Sequence, residues 1–174
     1  NEFCDYLGFK RGHAIAVSSG SAALYLSLWA LDTKNKQVSF PAYVCPALDH
    51  AVKLANANKK IIDIGKNTPN VGTKNIVNTE FTIIPHMFGI PVDLSMCKFE
   101  KYIEDCSQAL GAKIQNKFVG HFGTTGTFSF YGTKIITTGG QGGMIVSNDE
   151  NVLNKIREIE EFNIGHYIIG ESIF

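Results

Sequence analysis

Lys134 is the only charged residue between Gly123 and Asn148, a stretch of small hydroxyl residues, glycines and apolar residues. Five glycines lie between Gly132 and Gly143. A lysine in such surroundings is typical of one that acts through its amine, because burial among apolar groups favours the uncharged, nucleophilic form. The pattern therefore indicates a lysine that bonds to a carbonyl group. The alternative is an ordinary lysine that extends from a strand end into water.

A serine-rich join, Ser18-Ser19-Gly20-Ser21, follows the apolar run Ala14 to Val17 and precedes an apolar segment from about Ala22 to Leu31. The first turn of a helix offers N–H groups and a partial positive charge, and serine hydroxyls add donors, so the join could hold a phosphate group. A simple helix cap is the alternative. The join matches neither the dinucleotide-binding glycine pattern nor the Walker pattern.

Polar side chains also follow the short strand predicted at Tyr102 to Glu104. Asp105 comes directly after it, and Gln108 follows beyond Cys106 and Ser107. Open α/β sheets bind ligands at the carboxyl ends of their strands, so Asp105 could pair with a cationic ligand atom and Gln108 could hydrogen-bond to the ligand. The alternative is an acidic pair that caps a turn. Tyr43, in a loop between a strand and a helix, could stack on a planar ring or serve only in packing.

These residues come from four separate strand ends or strand–helix joins, and the groups they supply are complementary. Ser21 could help to bind a phosphate, and Tyr43 could stack on a ring. Asp105 supplies an acidic group, and Lys134, with Ser129 nearby, supplies an amine. Pyridoxal phosphate uses all four, because it carries a phosphate, a ring with a protonatable nitrogen and an aldehyde. The combination predicts a pyridoxal phosphate site.

Composition excludes several other classes of protein. The chain has 174 residues, and 16 basic residues balance 16 acidic ones. This balance gives no basic surplus for nucleic acid or an anionic membrane, so we expect neither as a partner. The apolar fraction of 44% is that of a globular protein with a real core.

The cysteines and histidines show no metal-binding spacing. Cys4, Cys45, Cys97 and Cys106 form no Cys-x-x-Cys pair, and no two histidines stand at the His-x-x-x-His spacing. No metal site is therefore predicted. We expect buried or half-buried thiols in a reducing, cytoplasmic environment.

Predicted strands and helices alternate along the chain, which indicates an α/β fold with a mainly parallel sheet in one domain. The connections at 67–80 and 94–100 are short and hold at most a brief helix. The predicted helices are 2–7, 22–31, 47–57 and 150–162, and the predicted strands are 14–17, 37–40, 61–64, 81–85, 102–104, 127–131 and 144–147.

Several motifs, in order, make the chain resemble the DegT/DnrJ/EryC1/StrS family of fold-type-I aminotransferases, which aminate keto groups on nucleotide-linked sugars. The resemblance runs from about Phe3 to Phe162. It implies a three-layer large domain with a mainly parallel mixed sheet flanked by helices. The motifs are Val17–Leu24, Phe40–Val44, Ile84–Gly89, Ile103–Gly111 and the run from Thr127 through Lys134 to Gly143.

The resemblance also implies roles for single residues. Lys134 matches the lysine that forms the internal aldimine with pyridoxal phosphate and then moves the proton. Asp105 matches the aspartate that faces the pyridine nitrogen and keeps it protonated. The other implied cofactor contacts are Gln108 near the ring hydroxyl, Tyr43 on the ring, and Ser21, the Ala22 backbone and Ser129 at the phosphate.

The reaction that the resemblance implies is a ping-pong transfer in a homodimer. An amino donor, commonly glutamate, converts the cofactor to its amine form, and a nucleotide-linked keto sugar then takes the amine. Relatives that deaminate the sugar use a histidine in place of the lysine, and Lys134 argues against that variant.

The chain also departs from the family pattern. The family's C-terminal domain and its Gly-x-Asn-x-Arg-like segment are absent, with Asn163 only a weak match, so we expect residues 1–174 to be a large domain incomplete at both ends. Gln141 stands where the family usually has a glutamate, which removes a charge near the site. These departures leave a second hypothesis open, a cofactor-binding or regulatory homologue without a competent active site.

Overall fold

The computed structural model describes residues 1–72, 79–93 and 101–168, with side chains as far as residue 159. Within these residues strands alternate with helices as far as the third strand, and the later strands are followed by a final helix. The helices are α1 (Glu2–Leu7), α2 (Gly20–Ala30), α3 (Ala47–Leu54) and α4 (Glu150–Ile168), with a short 3-10 helix at Met87–Gly89. The strands are β1 (Ala14–Val17), β2 (Gln37–Pro41), β3 (Asn58–Ile62), β4 (Phe81–Pro85), β5 (Tyr102–Asp105), β6 (Lys113–Ile114), β7 (Lys117–Phe118), β8 (Thr125–Ser129) and β9 (Gly143–Val146).

Seven of these strands form one sheet in the order β1-β9-β8-β5-β4-β2-β3. Strands β3, β2, β4, β5 and β8 pair in parallel, whereas β9 pairs antiparallel with both β8 and β1. Since β1 and β8 both oppose β9, they run in the same direction. The sheet is therefore mixed but mainly parallel, and the predicted fold class is confirmed.

This topology brings the sequence motifs together. Strands β1, β2, β4, β5 and β8 share one direction, so their carboxyl ends meet at a single edge of the sheet. The segments that leave those ends carry the serine join, Tyr43, Gln108 and Lys134. Open α/β sheets place their ligands at this edge.

Apolar side chains cover both faces of the sheet. On one face α2, α3 and α4 pack on the central strands, and Leu24, Leu28, Val52, Ile83 and Leu153 are fully or almost fully buried there. On the other face α1 and the 109–122 segment pack over Phe128, Phe130 and Val146. The buried character predicted for the 22–31 helix is confirmed, although Trp29 is 40% exposed.

The ends of several elements differ from the prediction. Helix α3 ends at Leu54 rather than 57, because Asn56 takes a left-handed conformation with φ 51°. Strand β3 begins at Asn58 rather than 61, because the polar Lys59 and Lys60 pair with β2 on the edge of the sheet, where charged residues are tolerated. Strands β8 and β9 each lie one or two residues earlier than predicted, and α4 extends to Ile168 rather than 162.

The expectation that the cysteines are buried or half-buried was partly wrong. Cys4 and Cys106 are buried, but Cys45 is exposed because it lies in the loop between β2 and α3. Cys97 lies outside the described residues, as do 73–78 and 94–100 of the two short connections. In the described part of the chain, no helix has the length and apolar character needed to cross a membrane.

Candidate active site

A cavity of about 380 Å³ opens at the carboxyl edge of the sheet. This volume suits a small organic molecule, since such ligands commonly occupy clefts of roughly 300–1,000 Å³. The segments after β1, β2, β4, β5 and β8 all contribute to its wall. The polar lining residues are Ser19, Ser21, Cys45, Asp105, Ser107, Gln108, Ser129, Tyr131, Thr133, Lys134 and Gln141.

The N-terminus of α2 forms one wall of the cavity. Ser19 is the N-cap, and its Oγ accepts a hydrogen bond of 3.1 Å from the Ala22 N–H. Ser21 and Ser129, two of the predicted phosphate contacts, both line the cavity. The third, the Ala22 backbone, has its N–H engaged by the cap. A helix N-terminus with neighbouring hydroxyls is a natural site for an anion.

Asp105 lies at the last position of β5 and is only 8% exposed. Its Oδ1 accepts a hydrogen bond of 3.0 Å from the Ser107 N–H, and its side chain lines the cavity. A buried carboxylate is stabilised by a cationic partner. The site therefore suits a ligand that brings a positive charge to this wall.

Lys134 lies in a turn beyond β8, where its backbone N–H donates to the Tyr131 carbonyl at 2.8 Å. Its side chain is half-buried and lines the cavity together with Thr133 and Gln141. The predicted amine and the predicted anion, Asp105, are thus in the walls of the same cavity.

Gln108 joins the cavity to the turn that follows β4. Its Oε1 accepts a hydrogen bond of 2.9 Å from the Phe88 N–H. Met87, from the same turn, lines the cavity beside it. The Gln108 side chain is therefore held at one end, and its NH₂ group remains for other partners.

The structure does not bring Tyr43 into the cavity wall. Tyr43 is 54% exposed, and its ring centroid lies 6.4 Å from that of Phe88, with an angle of 45° between the ring planes. Val44 and Cys45 line the wall instead. The role of Tyr43 on a bound ring stays a prediction.

Two buried residues behind the cavity, Glu104 and His86, were missed by the sequence analysis. The Glu104 side chain is fully buried, and its Oε2 lies 3.0 Å from His86 Nε2. Together with Cys106 they form a group whose ligand atoms lie within 4.8 Å of one another, close enough for a metal ion. The available signal was the pair of acidic residues at the end of a strand. This pattern does not indicate which of the two side chains faces the cavity, and Glu104 points away from it.

Their bonding explains this cluster without a metal ion. His86 Nδ1 accepts from the Val92 N–H at 3.0 Å, and the Glu104 carboxylate accepts from three backbone N–H groups as well as from His86. Burial, with a smaller effect from Glu104 and Asp105, raises the pKa of the Cys106 thiol well above its usual value. The metal-binding form of a cysteine is the thiolate, which this environment disfavours.

Comparison with known proteins decides the family. The DegT/DnrJ/EryC1/StrS aminotransferase family matches residues 1–168. The chain belongs to this family. The recognition made from the motifs is thereby confirmed.

Among the family's curated members, the chain is 34% identical over 155 residues to the GDP-perosamine synthase of Escherichia coli O157:H7. That match covers 82% of this chain and 42% of the synthase. The chain thus spans less than half the length of the curated relatives it matches.

Solved structures of the family share the fold. The aminotransferase from Psychrobacter cryohalolentis superposes with a TM-score of 0.82 at 30% identity, over 90% of this chain and 42% of that one. A GDP-4-keto-6-deoxymannose-3-dehydratase with a trapped PLP-glutamate geminal diamine superposes with a TM-score of 0.81 at 26% identity, over 90% of this chain and 44% of that one.

Proposed function

We propose that the protein is a pyridoxal phosphate-dependent aminotransferase that converts a keto group of a nucleotide-linked sugar to an amine, with glutamate as the amino donor. The observation that carries the proposal is the joint placement of Lys134, Asp105, Ser21 and Ser129 around one cavity. Family membership and the relatives described above support the same reaction class.

The residues present fit pyridoxal phosphate. The hydroxyls of Ser21 and Ser129 and the first turn of α2 would hold the phosphate. The buried Asp105 carboxylate would face the ring nitrogen, and Gln108 would contact the ring hydroxyl. Lys134 would bond to the aldehyde. The cavity of about 380 Å³ is of the right order for such a ligand.

Bound pyridoxal phosphate supplies an electron sink that stabilises the carbanion left when a substrate loses a proton next to its nitrogen. Lys134 Nζ would take up that proton and return it at the neighbouring carbon. The Asp105 carboxylate would hold the protonated ring nitrogen, which would strengthen the sink.

We also propose that this chain acts as a cofactor-binding large domain, residues 1–174, within a cytoplasmic homodimer that serves polysaccharide biosynthesis. Large apolar side chains are exposed near the cavity, as expected for a surface that another subunit covers. These are Tyr43, Phe88, Tyr131, Ile135 and Ile136. The partners proposed are the nucleotide-linked sugar and the amino acid, with neither nucleic acid nor membrane.

Absorbance tests the proposal directly. Mixing the protein with pyridoxal phosphate should produce a visible band, and borohydride reduction should fix the cofactor on Lys134, as mapped by peptide mass spectrometry. Lys134→Ala and Lys134→Arg should both lose the band, the arginine variant controlling for charge. Absence of the band in the wild type, or its survival in both variants, would refute the site.

Amino donors then separate the two hypotheses. Glutamate should shift the band as the amino group is transferred to the cofactor. A band that glutamate and other amino acids leave unchanged would favour a cofactor-binding protein without turnover. That second hypothesis rests on the missing C-terminal part of the family pattern and on Gln141, which is exposed in the cavity wall where the family usually carries a glutamate.

A further inference from the structure

The turn formed by residues 86–92, which follows β4, is held by side chains at both ends. His86 Nδ1 accepts a hydrogen bond of 3.0 Å from the Val92 N–H. Asn70 Oδ1 accepts one of 2.8 Å from the Met87 N–H. Both side chains are almost completely buried, at 1% and 3% exposure, so these bonds are protected from competition with water.

This turn determines how the Gln108 amide is oriented. Within it Phe88 takes a left-handed conformation with φ 56°, and its N–H points to Gln108 Oε1 at 2.9 Å. An N–H group needs an acceptor, so the oxygen end of the amide must face Phe88. The NH₂ end is left for the cavity, which Gln108 lines. The turn thereby makes Gln108 a donor toward the ligand.

The buried Glu104 carboxylate fixes the orientation of the His86 ring. Because His86 Nδ1 is an acceptor, its ring proton lies on Nε2, which donates to Glu104 Oε2 at 3.0 Å. The same carboxylate accepts from the backbone N–H groups of Gly120, Phe122 and Gly123 at 2.9, 2.6 and 2.6 Å. Four donors around the fully buried carboxylate allow it a single orientation. The ring of His86, which bonds to it, is therefore also held in one orientation and one tautomer.

We propose that His86 is a positioning residue: held by Glu104, it fixes the 86–92 turn so that Phe88 presents the NH₂ group of Gln108 to the ligand. The inference rests on the proposed function in one respect, since the acceptor that this NH₂ group meets is the ring oxygen of pyridoxal phosphate. His86 itself lies behind the wall and does not line the cavity.

A double-mutant cycle tests whether His86 acts through Gln108. His86→Phe and Gln108→Ala should each weaken pyridoxal phosphate binding about three- to tenfold, the effect of one lost hydrogen bond. In the Gln108→Ala background, His86→Phe should change the affinity by less than about twofold, because coupled residues are not additive. Equal effects of His86→Phe in both backgrounds would overturn the proposal.

A matched variant controls for general loss of stability. Thr33 is 1% exposed, and its hydroxyl donates to the Leu28 carbonyl at 3.0 Å, away from the cavity. Thr33→Val removes this buried hydrogen bond and should leave cofactor affinity unchanged. A loss in Thr33→Val as large as in His86→Phe would mean that destabilisation alone explains both.

Gln108→Glu tests the orientation in a variant that leaves the core intact. A carboxylate still accepts from the Phe88 N–H but offers no donor to the cavity. We expect cofactor affinity to fall at least as far as in Gln108→Ala. Wild-type affinity in Gln108→Glu would show that position 108 presents an acceptor to the ligand, and the proposal would be wrong.

Hydrogen exchange separates this inference from the proposed function, because it needs no cofactor. The Phe88 amide should be protected in the wild type and should exchange at least about tenfold faster in both His86→Phe and Gln108→Ala. If the wild type shows no visible band, the proposed function fails while exchange still decides the role of His86. If the band is present and Phe88 exchanges equally in the wild type and His86→Phe, the positioning role alone is refuted.

Discussion

Gly20 and Ser129 approach each other so closely that a Cβ at position 20 would lie 2.6 Å from Ser129 Cβ. The contact joins the first residue of α2 to the last residue of β8, and both residues line the cavity. The glycine is therefore required by the fit of helix to strand. Its neighbours Ser21 and Ser129 reach the same space because nothing separates the two elements.

Gly20→Ala should therefore destabilise the protein, although alanine is the better helix former. The gain in helix propensity is at most about 1 kcal/mol. Overpacking against Ser129 should cost about 1–3 kcal/mol, and affinity for pyridoxal phosphate should fall as Ser129 is displaced. Denaturant unfolding and an absorbance titration measure both effects.

Gly132→Ala is the matched control for this substitution. A Cβ there would meet no atom within 4 Å. Its free energy of unfolding should stay the same or rise by up to about 1 kcal/mol, because alanine restricts the unfolded chain. Equal stability of the two variants would mean that the contact between Gly20 and Ser129 is not tight in solution.

Asp105→Asn should weaken binding of pyridoxal phosphate about ten- to 100-fold, because a hydrogen bond to a charged group contributes about 1.5–3 kcal/mol. The amide keeps the size of the carboxylate and removes its charge from the buried wall. An absorbance titration measures the affinity. Asp32→Asn, which removes an acidic side chain outside the cavity, should bind as the wild type does, and a comparable loss there would refute a specific role for Asp105.

The sequence was sufficient to select residues that the fold brings to one cavity, because the signals were local. Five of the seven predicted contact residues line that cavity, and the exceptions are Ala22 and Tyr43. Apolar runs that end in polar residues predicted strand ends before Ser18, Asp105 and Lys134. A parallel sheet then necessarily brings such ends to one edge. Direction of the side chain was harder to predict, since Tyr43 faces outward beside Phe88 while Cys45 lines the cavity.

The buried hydrogen bonds of Glu104 and His86 behind the cavity could not be predicted, because they join residues that are distant in sequence. Glu104 accepts from backbone N–H groups up to 19 positions away and from a histidine 18 positions away. Almost every residue has a backbone N–H donor, so composition and spacing do not indicate which donors meet at the Glu104 carboxylate. A buried carboxylate of this kind is recognisable only once the fold is known.

His121 should make stability depend on pH. Burial lowers the pKa of its ring from the ordinary 6.5, although a hydrogen bond to the Leu7 carbonyl and the charge of Glu104 act in the opposite direction. The unfolded chain therefore binds the proton more readily. Stability should be fully present above about pH 6.5 and should fall as the pH drops from there through the lowered folded-state pKa.

Unfolding measured between pH 7.5 and pH 5 should show this loss in the wild type and a smaller one in His121→Phe. Phenylalanine can keep the stacking on Phe9, where the ring centroids are 3.6 Å apart, but it cannot bind a proton. The same pH dependence in both proteins would contradict the assignment to His121.

Asp49 should titrate well below an ordinary carboxyl group. Hydrogen bonds from Lys53 and Lys59 lower its pKa from 3.8 to about 2. The contribution to stability is present above about pH 4 and is lost as the pH falls through about 2. Carboxyl-resolved NMR should give the low pKa directly, and Asp49→Asn should flatten the stability curve in that range.

Lys59→Met identifies the cause of that shift, because it removes one of the two charges and keeps a long side chain. The pKa of Asp49 should then move part of the way back toward 3.8. An Asp49 pKa that stays near 2 in this variant would leave Lys53, at the helix spacing of four residues, as the sole source of the shift.

The β6–β7 hairpin, which the sequence analysis missed, should be open to stabilisation through its turn. Gln115 and Asn116 connect the two strands and both have positive φ, 47° and 66°. Two-residue turns of this kind prefer Asn-Gly, and a glutamine at the first position gives no such signal. Replacing the pair by Asn-Gly should raise the free energy of unfolding by about 0.5–1 kcal/mol. Gln115→Ala, whose side chain has no special tolerance for positive φ, should not stabilise the protein, and a gain there equal to that of Asn-Gly would mean that the turn does not adopt this conformation.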